Sequence, residues 1–261
     1  MYVLHTEPQS ASGILDAAYK LFRASFSSQL VLAAAVAVLM TLPLAGLAWV
    51  GAITDPFAIL DLIFSLRVLA ACLALAIACA ALYAAMMLRM EAFAQGETIT
   101  TAEAVTAALR DLPRIALASI VFMVAVFVGC CLLVVPGLVL VQSLMFYLPA
   151  IALDDRGAIE SLGYSHRLVW GSWWRTAGIW GFGLLLSTVV VYVATAVGLV
   201  LTILPIDLRA LGALEIVIQA LATLVVTPFL VALWLELYRD LKLRKARDGV
   251  RVSVEGAPHG G

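Results

Sequence analysis

The sequence predicts an all-α fold: a polytopic transmembrane bundle of about six helices, with short amphipathic interfacial helices on the inner face. Three observations lead there. The residues AVILMFWYC make up 64% of the chain and DEKR only 13%, against about half and about a quarter in a soluble domain. Long stretches carry no charge at all. Basic residues fall on one side of the layer once six spans are counted. A net charge of −1 argues against a nucleic-acid partner.

The elements follow in order. Residues 1–26 form an arm, and within 14–26 the residues Ile14, Leu15, Ala18, Leu21 and Phe22 recur at helical spacing while Asp16, Lys20 and Arg23 take other faces. The apolar run that follows is too long for a signal-peptide core and lacks a clear cleavage site, so it is expected to be a retained span. Charge-free stretches cover 24–54, 68–88, 115–153, 176–206 and 216–235. Four suit one crossing each. The third holds about 39 residues, about 58 Å as a straight helix, too long for one crossing. Pro136-Gly137 sits near its middle, where proline removes a donor and glycine permits a tight turn, so a hairpin of two spans is expected. The predicted spans are 27–51, 68–88, 115–134, 137–153, 176–203 and 212–237, within a membrane domain of 27–240 and before a basic, then flexible tail at 241–261.

With both termini inside, the inner segments carry all of the sixteen basic residues except Arg67 and Arg209. Dropping or adding a span would scatter them. Two inner loops carry further amphipathic patterns. In 100–112, Thr100 and Glu103 fit a capping box ahead of Val105, Ala108, Leu109 and Leu112. In 158–170 the apolar positions are Ile159, Leu162, Leu168 and Val169. Together with 14–26, each such segment precedes a pair of spans. The chain reads either as three copies of surface helix and hairpin or as ordinary loops shaped by a nearby bilayer. Trp170, Trp173, Trp174 and Trp180 crowd the start of the fifth span, Trp234 and Tyr238 the inner end of the sixth, and Trp49 the outer end of the first. Headgroup-level anchoring is the expectation for them, and a ligand-stacking box at Trp170–Trp174 the alternative.

Groups that could do chemistry are few. His5, His166 and His259 have no ligand-spaced partner, and Ser165 beside His166 is no nucleophile elbow. Gly178, Gly181 and Gly183 lack phosphate-loop spacing and suit close helix packing. Cys72, Cys79, Cys130 and Cys131 fall inside apolar runs and are expected to act as small hydrophobes. Arg67 and Glu215 sit at outer boundaries, where they could pair. Pro43 and Pro228 lie within the first and sixth spans and could kink them. Of the deep polar groups, Gln142 and Gln219 would line a small cavity or bond across helices as structural glue. No catalytic, cofactor or metal site is expected.

Several segments together resemble a known family. These are Ile14-Leu15-Asp16 through Tyr19-Lys20-Leu21-Phe22-Arg23, Val135-Pro136-Gly137-Leu138, and Phe146-Tyr147-Leu148-Pro149-Ala150-Ile151-Ala152-Leu153. Ala158-Ile159-Glu160-Ser161-Leu162, Ser165-His166-Arg167-Leu168, Gly171-Ser172-Trp173-Trp174-Arg175 and Leu237-Tyr238-Arg239-Asp240-Leu241-Lys242 complete the set. The chain resembles the six-helix membrane domain fused to some bacterial glycerophosphoryl diester phosphodiesterases, and stand-alone bacterial membrane proteins of the same type. In the fused enzymes the chemistry belongs to a separate barrel with acidic metal ligands and catalytic histidines. That barrel is expected to be absent here, so the resemblance implies no enzyme activity.

Two functions are therefore weighed. The first is a non-catalytic protein of a bacterial inner membrane that organises lipids or a partner membrane protein at the inner face. Its headgroup candidates are Arg239, Lys242, Arg244, Lys245 and Arg247, facing anionic lipid. The second is a transporter or channel for a small neutral or lipid-like solute, with Gln142 and Gln219 the first residues to test.

Overall fold

The computed structural model describes residues 4–50, 66–201 and 208–255. They form α1 (Ala11–Val50), α2 (Leu66–Ala94), α3 (Thr101–Arg110), α4 (Leu112–Leu132), α5 (Val134–Leu144), α6 (Tyr147–Asp154), α7 (Ala158–Val169), α8 (Trp173–Leu201) and α9 (Leu208–Glu255). Six segments are long and apolar enough to cross a membrane: Ala11–Thr41, Arg67–Ala94, Leu112–Leu132, Val134–Asp154, Trp173–Gly198 and Leu211–Asp248. The all-α expectation holds among the described residues. The outward faces are apolar, with Phe127, Leu132, Leu133, Val135 and Tyr192 each about two-thirds exposed, as lipid-facing side chains are.

The amphipathic segment at 14–26 is not a separate surface helix. It is continuous with the first span in α1. No glycine or proline interrupts 14–42, and Ser25 and Ser28 donate their hydroxyls to the Leu21 and Ser25 carbonyls at 2.8 and 2.7 Å, so neither breaks the helix. Its stripe of Ile14, Ala17, Ala18, Leu21 and Ser25 is buried, and α1 packs most extensively on α9. The segment at 100–112 does form its own helix. Thr100 and Glu103 make the reciprocal capping bonds at 3.2 and 2.7 Å, and the Thr100 N–H, with its hydroxyl at 2.9 Å, holds the Glu103 carboxyl below its ordinary range. Helix α7 is likewise separate. The tail expected to be basic and then flexible continues α9 to Glu255. Beyond Pro228 no proline occurs before Glu255, so every backbone N–H there can join the helix. Ion pairs at Arg239 and Arg244 anchor the segment along the way.

The hairpin differs in its turn. The chain reverses at Leu133, whose extended backbone (φ −164°, ψ 147°) separates α4 from α5. Pro136 and Gly137 lie in the first turn of α5 instead, where the helix has no use for the missing N–H. Gly137 serves close approach: a Cβ there would lie 2.9 Å from the Cys130 backbone nitrogen. Gly129 faces it, and a Cβ on that residue would lie 3.1 Å from Gly137 Cα. The two helices meet over these glycines.

The fourth span breaks between α5 and α6 at Met145-Phe146. Ser165 of α7 repairs the break: its Oγ accepts the Phe146 N–H at 3.0 Å and donates to the Ser143 carbonyl at 2.8 Å. One buried cluster gathers Leu21, Leu32, Met86, Met87, Met90, Leu148, Ile151 and Leu235. A second gathers Ile14, Phe146, Ile179, Leu233, Leu237, Tyr238 and Leu241. Cys79 is buried, while Cys72, Cys130 and Cys131 are exposed on the apolar surface, all four as free thiols.

Gly137→Val should force α4 and α5 apart, because beyond the Cys130 sulfur the contacted atoms are the Cys130 backbone nitrogen and Cα, which cannot rotate away. The expected loss is about 1–3 kcal/mol, read as a lower thermal midpoint in detergent. An unchanged midpoint would contradict the close-approach account.

Candidate functional site

The run Glu236-Leu-Tyr-Arg-Asp-Leu-Lys-Leu-Arg-Lys245 places a polar residue at seven of ten positions over two and a half turns of α9. At about 100° per residue such side chains point all round the helix. The segment therefore meets several elements at once.

Asp240 is the first node. Its side chain is 3% exposed. Its Oδ1 accepts the Gln9 N–H at 2.7 Å, and its Oδ2 accepts Arg175 Nη1 at 2.7 Å and Arg244 Nε at 2.8 Å. Both arginines also donate to the Gln9 carbonyl, at 2.7 and 2.6 Å. The N-terminal arm, the start of α8 and α9 are tied at one carboxylate. Arg239 is the second node, meeting Glu91 of α2 at 2.5 Å and Glu236 at 2.6 Å. Asp154 is the third: it accepts the Tyr238 hydroxyl at 2.7 Å and Lys242 Nζ at 2.7 Å. Tyr238 in turn stacks on Phe146 at 5.9 Å.

Beside these nodes lies a depression of about 420 Å³ between α7 and α9, lined by Tyr164, Arg167, Leu168, Lys242, Lys245 and Ala246. Three cations converge on it. Lys242 is offset by Asp154, Lys245 donates to the Trp170 carbonyl at 2.8 Å, and Arg167 makes no ion pair among the described residues. Trp170 and Trp174 stand close by in sequence, 60% and 84% exposed. Trp174 meets Trp173 edge-on at 4.7 Å, and Trp170 meets His166 at 5.1 Å. A concave surface with cationic walls and aromatic neighbours can take an anion at a membrane interface.

The five basic candidates thus separate. Arg239 and Arg244 are turned onto carboxylates within the bundle, while Lys242, Lys245 and Arg247 remain exposed. Gln142 and Gln219 make no hydrogen bond to each other among the described residues. Gln219 donates to Thr195 of α8 at 2.6 Å and to Glu215 at 3.1 Å, and Thr195 stands about 33 Å along α8 from Trp173. Gln142 is buried beside Ser143, near α7, and its amide nitrogen has no partner among the described residues. Arg67 and Glu215 form no ion pair among the described residues; Glu215 lies against Gly198 of α8 instead. Ser165 faces the core and His166 the outside, so the pair diverges. Trp49 lies outside the residues whose side chains are described.

Sequence reading missed Gln9, Glu91, Asp154, Arg175 and Asp240 as a set. The signal available was the alternation of acidic and basic residues in 236–245, which marks a helix surrounded by polar partners rather than a bare cationic tail. Their identities depend on the tertiary fold.

Over residues 6–239 the chain matches the family described as Domain of unknown function (DUF7847), and it belongs to that family. The match does not extend to the phosphodiesterase-fused membrane domain. No curated protein and no solved structure matches the chain.

Asp240→Ala would leave two arginines facing one another without their carboxylate. It is expected to cost on the order of 3 kcal/mol. Asp16→Ala breaks only the open pair with Lys20, 58% exposed on both sides, and should cost under about 1 kcal/mol. Thermal unfolding of the two variants in the same detergent checks the contrast; equal losses would deny Asp240 its role as a fastening.

Proposed function

We propose that this DUF7847 protein is a non-catalytic protein of a bacterial inner membrane that holds anionic lipid at the inner face, with both termini cytoplasmic. The observation that carries the reading is the convergence of Arg167, Lys242 and Lys245 on one depression at the charged end of the bundle. A lipid phosphate there would meet Lys and Arg donors in a partly desolvated setting, with Trp170 and Trp174 at headgroup level. The ion pairs behind it make the surface rigid, which lowers the ordering cost of binding. The resemblance to the membrane domain of phosphodiesterase fusions fits the same role, since chemistry there belongs to another domain. Transport of a neutral solute is the second reading, with Gln142 and Gln219 the first residues to test.

Two measurements test this. Delipidated protein should be stabilised more by phosphatidylglycerol than by phosphatidylcholine, and Arg167→Gln with Lys245→Gln should remove about 2 kcal/mol of that preference, at about 1 kcal/mol per cation. Equal stabilisation by both lipids in the parent protein would defeat the headgroup reading. Arg110→Cys and Arg167→Cys should both be labelled from the cytoplasmic side only; labelling from opposite sides would overturn the orientation.

A further inference from the structure

We infer that α1, α2 and α3 form a second lipid site, a groove that takes one acyl chain of an anionic phospholipid. The groove encloses about 870 Å³ and every residue lining it is Ala, Val, Leu or Ile, among them Ala34 and Val38 of α1, Ala78 and Leu82 of α2, and Val105 and Leu109 of α3. That volume lies within the range of sites for small molecules, about 300–1,000 Å³. Alanines on the two long helices are too short to fill the space between them, and an apolar void left empty forfeits its dispersion contacts. The α1 and α2 walls belong to segments long and apolar enough to cross a membrane, so hydrocarbon is what surrounds the opening on their side.

Height selects a lipid chain over a partner's helix. From Ala74 to Leu82 the α2 wall rises about 12 Å, less than half of a hydrocarbon layer of about 30 Å. At its charged end the groove is closed by α3, through Val105, Leu109 and neighbouring Ala108. A membrane-crossing helix would have to leave past α3. An acyl chain need not, because it ends within one leaflet.

Charge selects an anionic headgroup. Three arginines without a carboxylate partner among the described residues surround the closed end. Arg23 precedes Ala34 by eleven residues, three turns and about 20°, so it shares that face of α1. Arg110 follows Leu109 at the end of α3 and is exposed, as Arg23 is. Arg89 lies two turns past Leu82 on α2, bonded only to neutral oxygens: the Ser28 carbonyl, the Ile99 carbonyl at 3.3 Å and the Thr101 hydroxyl at 2.8 Å. Of the acidic residues in and beside α3, Glu103 is engaged with Thr100 and Asp111 with Arg114, while Glu97 precedes the helix exposed and makes no ion pair among the described residues. A phosphate beside α3 would therefore find cations and no free carboxylate of that helix. The groove shares no residue with the α7–α9 depression. It extends the lipid reading to a second place without depending on the first.

The test is native mass spectrometry of the full chain, delipidated in mild detergent and titrated with phosphatidylglycerol or phosphatidylcholine. The parent protein should retain a phosphatidylglycerol adduct that Ala78→Phe weakens at least tenfold, with Ala35→Phe repeating the loss from the opposite wall. Arg23→Gln with Arg110→Gln should abolish the preference over phosphatidylcholine while leaving the chain-binding capacity intact. Arg167→Gln with Lys245→Gln should leave this adduct unchanged, which separates it from the depression. Adducts unaltered by both groove-filling variants would overturn the proposal, as would a groove whose filling releases a co-purifying protein and no lipid.

Discussion

A carboxylate almost withdrawn from solvent, Asp240, accepts a backbone N–H from Gln9, 231 positions earlier, and two guanidinium groups besides. Removing a charge from water is costly unless donors replace the lost hydration. Here three donors do so, and in doing so they fix the arm ahead of α1, the start of α8 and the charged part of α9 to a common point. The long α1–α9 contact follows from that fastening, since the two helices begin their alignment where their ends are tied. Around the same turns of α9, Glu91 and Asp154 bring in α2 and α6. One short polar segment thus sets the positions of helices that otherwise touch through interchangeable apolar side chains.

The rest of the bundle is held by more scattered ties, such as Gln219 to Thr195 and Arg89 to the Ser28 carbonyl. In lipid, burial of apolar side chains gives no drive comparable to that in water, so close packing and polar bonds must supply the order. Gly129 against Gly137 does this by contact distance, and Ser165 by satisfying the backbone groups that the break at Met145-Phe146 exposes. The charged end and the glycine contacts act at different heights. Between them the outward surface is free to be purely apolar, and the alanine-lined groove survives because nothing larger is needed there for stability.

Much of this was legible in the residues. Span existence follows from charge-free length alone, and the capping box at Thr100 and Glu103 reads directly from two side chains three positions apart. The hairpin was readable but its turn was not, because proline and glycine mark both tight turns and helix starts or close contacts. The fusion of 14–26 with the first span escaped the reading for a related reason: polarity changes along α1, yet polarity does not stop a helix that lacks a breaker. At the charged end, the basic residues could be counted but not their partners. Whether Arg239 faces a headgroup or Glu91 depends on where α2 ends in space, and periodicity within α9 carries no record of that.

The tie between Gln9 and Asp240 also has a bearing on biosynthesis. Ribosomes extend a chain at about 5–20 residues per second, so α1 waits roughly 10–50 s before its principal partner α9 exists. During that interval α1 sits in the bilayer with Gln29, fully buried in the finished protein, turned toward whatever neighbours the membrane offers. Helix α9 is therefore the one that closes the contact with α1, and newly inserted chains pass through an open stage whose length is set by translation speed.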